Sequence, residues 1–221
     1  PAITGVKAMT GTPVNDAPVV DLNAGAAGQD VTTAFTEQTL VLIAPVGTLT
    51  DVDSANLTSL TVTLTTRPDG NAVESLSLNA AATTAASGAG LTVSYTAGTG
   101  VLSITGSATT AVYQTILQGI QYNDTSDQPT TTSRTISVVA NDGTTASATQ
   151  TVTLTVAAVN DAPVNTLPAS FTASAGAPLP LSGLSIVDVD ALSGTITTTL
   201  SVSSGTLSAT TGGSVTVTGS G

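Results

Sequence analysis

The feature that constrains this chain most is an alternation with a period of two. Leu60-Thr61-Val62-Thr63-Leu64-Thr65 places three apolar side chains on one face and three threonines on the other, and Thr151-Val152-Thr153-Leu154-Thr155-Val156 does the same. Successive side chains of a strand point to opposite faces, so such a run buries one face and wets the other as a β-strand. Further strands are expected at 39–43, 91–95, 101–105, 117–122, 134–140, 195–201 and 214–218. Pro68-Asp69-Gly70-Asn71, Gly98-Thr99-Gly100 and Asn141-Asp142-Gly143 separate them. Each is turn chemistry, because Gly and Asn tolerate φ > 0 and Pro presets φ. Many short strands at this spacing predict an all-β fold of the sandwich type. One segment departs from the pattern. Ser107 to Gln118 carries Val112, Ile116 and Leu117 at helical spacing, with Gly119 as a C-cap. It reads as one or two helical turns closing an end of the sandwich, or as a plain loop.

An internal repeat organises the strands. Val14-Asn15-Asp16-Ala17-Pro18-Val19 recurs as Val159-Asn160-Asp161-Ala162-Pro163-Val164. A second echo follows each copy: Asp51-Val52-Asp53, then Asp188-Val189-Asp190. The chain therefore divides into a tail and linker over 1–19, a complete repeat over 20–158, a linker over 159–164 and a partial second repeat over 165–221. Set against the first repeat, the second lacks counterparts of 107–118 and of the strands through 156. Either the sequence is cut from a longer protein, as its start at Pro1 without a signal pattern also suggests, or another chain supplies the missing strands.

Composition removes most chemistries. With no His and no Cys there is no Ser-His-Asp triad, no thiol nucleophile, no imidazole or thiolate zinc site and no disulfide. Three basic residues cannot line a phosphate-tracking groove, so nucleic acid is not an expected partner. No apolar run approaches the ~20 residues of a membrane span. An enzyme is not expected.

What remains is acid: 14 Asp and Glu and a net charge of −11. Eight of the 14 fall in recurring contexts: Asp16 and Asp161 in the linkers, the pairs Asp51/Asp53 and Asp188/Asp190, Glu37 at the start of the repeat's first strand, and Asp142 in a late turn. Calcium is a hard cation that takes 6–8 oxygen ligands at about 2.3–2.6 Å. A D-x-D pair turns two carboxylates onto one ion, and a linker Asn-Asp adds an amide oxygen and a carboxylate. The alternative is that these residues are turn-formers through Asx hydrogen bonds.

The V-N-D-A-P-V string closing a repeat, followed by D-V-D, resembles the cadherin-like repeats of very large bacterial surface and secreted proteins, including repetitive adhesins. The resemblance covers nearly the whole chain and implies an Ig-like sandwich in a stiffened tandem array. It also implies shared calcium ligands: Asn160, Asp161, Asp188 and Asp190 with Glu37 at one junction, and Asn15, Asp16, Asp51, Asp53 and Asp142 at the upstream one. The acidic L-D-R-E motif of animal cadherins is absent, which implies fewer ions per junction. The function so implied is that of a calcium-stiffened structural module of an extracellular or cell-surface adhesin, its partners being neighbouring repeats. The rival is a self-assembling filament or surface-layer subunit completed by other copies.

Weaker signals have plainer readings. Asp124-Thr125-Ser126 is similar to an aspartic-protease loop but stands alone and reads as a turn. The Thr ranks read as solvent faces of strands rather than an ice-binding plane. Phe35, Phe171, Tyr95, Tyr113 and Tyr122 read as core or strand-end residues.

Overall fold

The computed structural model describes Gly11 and residues 14–209. It divides into two compact units, 1–160 and 161–221. The described residues form thirteen short strands and two short helices, an all-β chain in several sheets. No helix among them is long and apolar enough to cross a membrane.

In the first unit, β1 (Val19–Asp21) pairs antiparallel with β4 (Thr48–Thr50). A six-stranded sheet contains β2 (Val31–Thr36), β5 (Asn56–Leu64), β7 (Thr92–Thr96), β8 (Val101–Thr109), β10 (Arg134–Asn141) and β11 (Gln150–Ala157). Its order is β2-β11-β10-β5-β8-β7. Every neighbouring pair is antiparallel except β2 and β11, which run parallel. A three-stranded antiparallel sheet orders β3 (Val41–Leu42), β9 (Ile120–Asp124) and β6 (Glu74–Leu78) as β3-β9-β6.

The period-two reading holds where these strands pair. Leu60, Val62 and Leu64 of β5, Ile136, Val138 and Ala140 of β10, and Val152 and Leu154 of β11 are fully buried, with Thr, Ser or Val between them less so. Leu57 is buried as well although it is out of phase with Leu60. The ladder slips between Leu57 and Ser59, where the facing strand carries Gly106 at φ +127, and such a bulge re-aims the side chains around it. Both sheets contribute to one core. Phe35 of β2 meets Tyr122 of β9 edge to face, with ring centroids 5.0 Å apart at 89°, a favourable arrangement for aromatic quadrupoles.

The expected helical segment is α2 (Thr110–Gln118), with Gly119 at its C-cap. The Thr109 side chain accepts the Val112 N–H at its start, and Tyr113, Ile116 and Leu117 face the core. Gln118 Nε2 donates to the Gly47 carbonyl at 2.9 Å, and Gln114 accepts from Leu49 N, which fastens the helix to the β4 region. A second helix, α1 (Ala80–Gly88), was not expected. Its Ala-Thr run has little amphipathic pattern, but Asn79 caps it by accepting the Ala82 N–H at 2.8 Å. A Cβ on Gly119 would lie 2.5 Å from Ala82 Cβ and 2.6 Å from Asn79 Oδ1. Glycine there lets the two helix ends approach.

Several expectations shift. The strand expected at 117–122 begins only at Ile120, because Leu117 and Gln118 complete α2. Strands β4, β6 and Ser185–Val187 were missed. Glu37 does not start the first strand; it follows the end of β2. Val19 and Val164, assigned to linkers, already lie in strands.

In the second unit, β12 (Val164–Thr166) pairs with β13 (Ser185–Val187). Residues 195–201 form no strand. Among the described residues no strand lies beside this run, whereas the corresponding β5 is held between β10 and β8; an extended run without a partner ladder has nothing to satisfy its backbone. Ile196, Leu200 and Val202 stay 39%, 56% and 49% exposed. The strand expected at 214–218 lies outside the described residues.

Candidate metal centre

In the first unit the upstream acids are knitted together by backbone donors. Asp51 follows β4. Its Oδ1 accepts the N–H groups of Asp53 (3.1 Å) and Ser54 (2.8 Å), an Asx turn that makes the D-x-D string a loop. Asp53 Oδ2 accepts the Asp16 N–H at 3.1 Å, which ties the linker to that loop. Asn15 donates from Nδ2 to Asp142 Oδ2 at 2.8 Å and to Thr145 Oγ1 at 3.2 Å. All five predicted residues are therefore placed in two linked contacts, Asp16 with Asp53 and Asp51, and Asn15 with Asp142.

Their states differ. Asp142 Oδ1 accepts from Thr144 N and Thr145 N, so both its oxygens are engaged. The Thr145 N–H first, then the Asn15 amide and the Thr144 N–H, hold its carboxyl below the ordinary range. Asp142 thus meets the turn-former reading in full. Asp51 does not: its Oδ2 is buried with no hydrogen-bond partner. Asp16 and Asp51 also line a cleft of about 390 Å³ with Ala17, Val19, Thr50 and Val52. A buried carboxylate oxygen left without a donor is costly, and an oxygen-seeking cation in that cleft would satisfy it. However, no three of Asp16, Asp51, Asp53 and Asp142 bring their carboxylate oxygens within 4.8 Å of one another.

The second unit repeats part of this arrangement. Asp188 Oδ1 accepts the N–H groups of Asp190 (3.0 Å) and Ala191 (3.1 Å), and Asp190 Oδ2 accepts the Asp161 N–H. Residue for residue this is the Asp51, Asp53, Asp16 network. The expected downstream ligand set is divided between the units: Glu37 and Asn160 lie in the first, Asp161, Asp188 and Asp190 in the second. Asn160 is exposed. Glu37 is 4% exposed; its Oε2 accepts the Val159 N–H at 2.7 Å, and its Oε1 is buried without a partner.

A second acidic group escaped the sequence reading. Asp69, Glu74 and Asp124 bring oxygens within 4.8 Å of one another, but a guanidinium occupies their centre. Arg134, with no exposed surface, donates from Nε to Glu74 Oε2 (3.2 Å) and to the Tyr122 hydroxyl (3.2 Å), and from Nη2 to Asp124 Oδ2 (3.0 Å) and to Asp69 Oδ2. Nη1 donates to the carbonyls of Thr130 and Thr132, and the Tyr122 hydroxyl donates to Glu74 at 3.0 Å. This is an internal ion cluster, not a metal site. Burial first, then neighbouring Asp69 and Glu74, push the Asp124 carboxyl above its usual range despite the Ser126 N–H, which pulls it down. Burial, reinforced by Glu74, also raises the Tyr122 phenol. The Asp124-Thr125-Ser126 string is the turn it was read as, Asp124 Oδ1 accepting the Ser126 N–H at 2.9 Å. The cluster did leave a signal: Glu74, Asp124 and Arg134 each stand in phase with the buried face of their strands, at one end of β6, β9 and β10.

Of the aromatics, Phe35, Tyr113 and Tyr122 are buried, Tyr95 is half-buried, and Phe171 is 40% exposed. No family model matches the chain, and no curated protein matches its sequence.

Proposed function

We propose that the chain is a calcium-stiffened structural module of a large extracellular or cell-surface adhesin, built from cadherin-like repeats. In this reading the two sheets sharing one core are the faces of an Ig-like sandwich, and residues 161–221 begin the next repeat. The observation that carries it is the network that occurs twice, linker Asp to second Asp to first Asp of a D-x-D loop, with an orphaned Asp51 oxygen in the copy that lines a cleft. Oxygen-only donors of high negative charge suit calcium among the common divalent ions. Asn15, Asp16, Asp51 and Asp53 would hold it upstream. The bound ion would supply charge neutralisation; the chain supplies loops already folded around their backbone donors, and the Asp16, Asp51 and Asp53 carboxylates would close on the ion as it binds.

At about 1 mM calcium and a Kd of about 10⁻⁴ M, binding stabilises by roughly RT ln 11, about 1.4 kcal/mol per site. The test is a melt with and without chelator together with small-angle scattering. The expected results are a higher Tm and a greater maximum dimension in calcium; no change in either overturns the reading. The exposed Ile196, Leu200 and Val202 favour a second reading, a filament subunit whose second unit is completed by other copies. Light scattering showing a monomer at high concentration would exclude it.

A further inference from the structure

We infer that β7 is a docking edge for a second copy of this chain: two β7 strands pair antiparallel about a two-fold axis at Ser94 and join two six-stranded sheets into one. The inference goes beyond the calcium reading and does not rest on it. Strand β7 ends its sheet, with β8 on one side and no strand on the other among the described residues. A terminal strand presents a row of unpaired N–H and C=O groups, and proteins ordinarily guard it with Lys, Pro, a bulge or a cover. Thr92-Val93-Ser94-Tyr95-Thr96 has no such guard. Its ladder with β8 runs without a slip, it carries neither charge nor proline, and four of its five residues are exposed. Val93 shows the missing cover most directly. It stands opposite Ile104, and Tyr95 stands opposite Leu102. Both partners are buried, so Val93 and Tyr95 point to the core side of the sheet. Val93 is nonetheless 39% exposed. It opens on a cleft of about 430 Å³ lined also by Leu76, Leu78, Leu91, Tyr95 and Leu102. Leu76 and Leu78 belong to β6, which ends the three-stranded sheet, so both sheets end at this cleft.

Charge selects the occupant. The chain carries −11 overall, so two copies repel one another. Residues 75–123, which supply most of β6 and all of α1, β7, β8 and α2, contain no Asp, Glu, Lys or Arg. The opposite terminal strand, β2, lies between Asp30 and Glu37. The charges acting on Tyr95 are Arg67 and the buried Glu74, of opposite sign. A charged partner finds nothing to pair with at this edge, whereas two like-charged copies meet here with least repulsion. The strand is also complementary to itself. Centred on Ser94, antiparallel pairing sets Val93 of each copy against Tyr95 of the other on the core side, and Thr92 against Thr96 on the outer side. Such aromatic–β-branched and Thr–Thr pairs are favourable across strands, and a slip of one residue would oppose core-side to outer-side residues. The relation is the same from either copy, so it closes as a dimer. Five residues a side place the contact at the weak end of protein interfaces.

The experiment is sedimentation equilibrium of the full chain in chelator, up to millimolar concentration, beside Val93→Lys, which puts a guarding charge on the edge. Melts check that the variant is folded. The expected result is a monomer–dimer equilibrium that stops at the dimer and is lost in Val93→Lys. A second measurement fixes the axis. The chain has no cysteine, so Ser94→Cys places a single thiol on the axis, where facing Cα atoms of an antiparallel pair lie about 4.5–5.5 Å apart, within disulfide reach. It should form a disulfide-linked dimer roughly tenfold faster than Thr155→Cys, which is also exposed but lies on β11. A monomer at every concentration, association that Val93→Lys leaves intact, or equal cross-linking of the two thiols overturns the pairing and leaves the calcium reading untouched. Growth past the dimer that survives Val93→Lys overturns it in favour of the filament.

Discussion

Replacing Arg134 by Met tests whether the internal ion cluster holds the two sheets together. Met is close to the arginine stem in length and apolar, so the substitution removes the charge and donors while filling much of the space. The structure sets the scale. Arg134 faces three carboxylates, two of them without exposed surface. At an effective dielectric of ~20, a charge pair about 3 Å apart is worth on the order of 5 kcal/mol of attraction, most of which desolvation offsets. Removing only the cation keeps the desolvation cost and loses the attraction, which in comparable buried pairs costs about 3–5 kcal/mol. For a unit of this size that lowers Tm by roughly 6–20 °C. The assay is scanning calorimetry in chelator at neutral pH. Two further readouts separate charge from volume. The deficit should shrink as pH falls toward 4, because protonation removes the unpaired charges. Arg134→Met with Asp124→Asn should be more stable than Arg134→Met alone. A loss below about 1 kcal/mol, or no recovery in the double variant, refutes the account.

Gly119→Ala should destabilise by about 1–3 kcal/mol, measured by urea unfolding, because its Cβ would press on Ala82 and Asn79. Tyr113→Phe removes a 2.6 Å hydrogen bond from the hydroxyl to the Gly106 carbonyl and should cost about 1 kcal/mol; in the unchanged protein the Tyr113 phenol, pushed up to about 12 by burial, should stay un-ionised at pH 10.5 by ultraviolet titration. Asp124 and Asp142 respond to acid with opposite signs. Asp124, raised above 3.8, adds stability as pH falls through its folded value; Asp142, lowered below 3.8, loses its contribution as pH falls from 3.8 through its own. Asp124→Asn should therefore sharpen acid denaturation and Asp142→Asn should blunt it, as followed by circular dichroism from pH 6 to 2.

What the sequence made legible was whatever a single strand or turn decides for itself. The alternation at 60–65, 134–140 and 151–156 located buried faces, and the D-x-D strings fold into Asx loops in both units. Helix α2 was legible because Val112, Ile116 and Leu117 keep helical spacing; α1 was not, because an alanine-threonine run carries no such contrast. The Arg134 cluster was hidden for a different reason. Its members come from 69, 74, 124 and 134 and meet only when β6, β9 and β10 are assembled, although the phase of each charge within its strand held the clue.

The parallel pairing of β2 with β11 has a mechanical consequence. These strands lie toward opposite ends of the first unit's sequence, and they are paired side by side from Val31–Val152 to Thr36–Ala157. Tension applied through the chain ends draws them in opposite directions along their common axis. Their hydrogen bonds are then loaded together, in shear, instead of opening one at a time as they would at a peeled hairpin. Resistance to pull is in this way set by strand order, through a contact between residues more than a hundred positions apart. Once β1 has parted from β4, such a unit would carry its load through this seam.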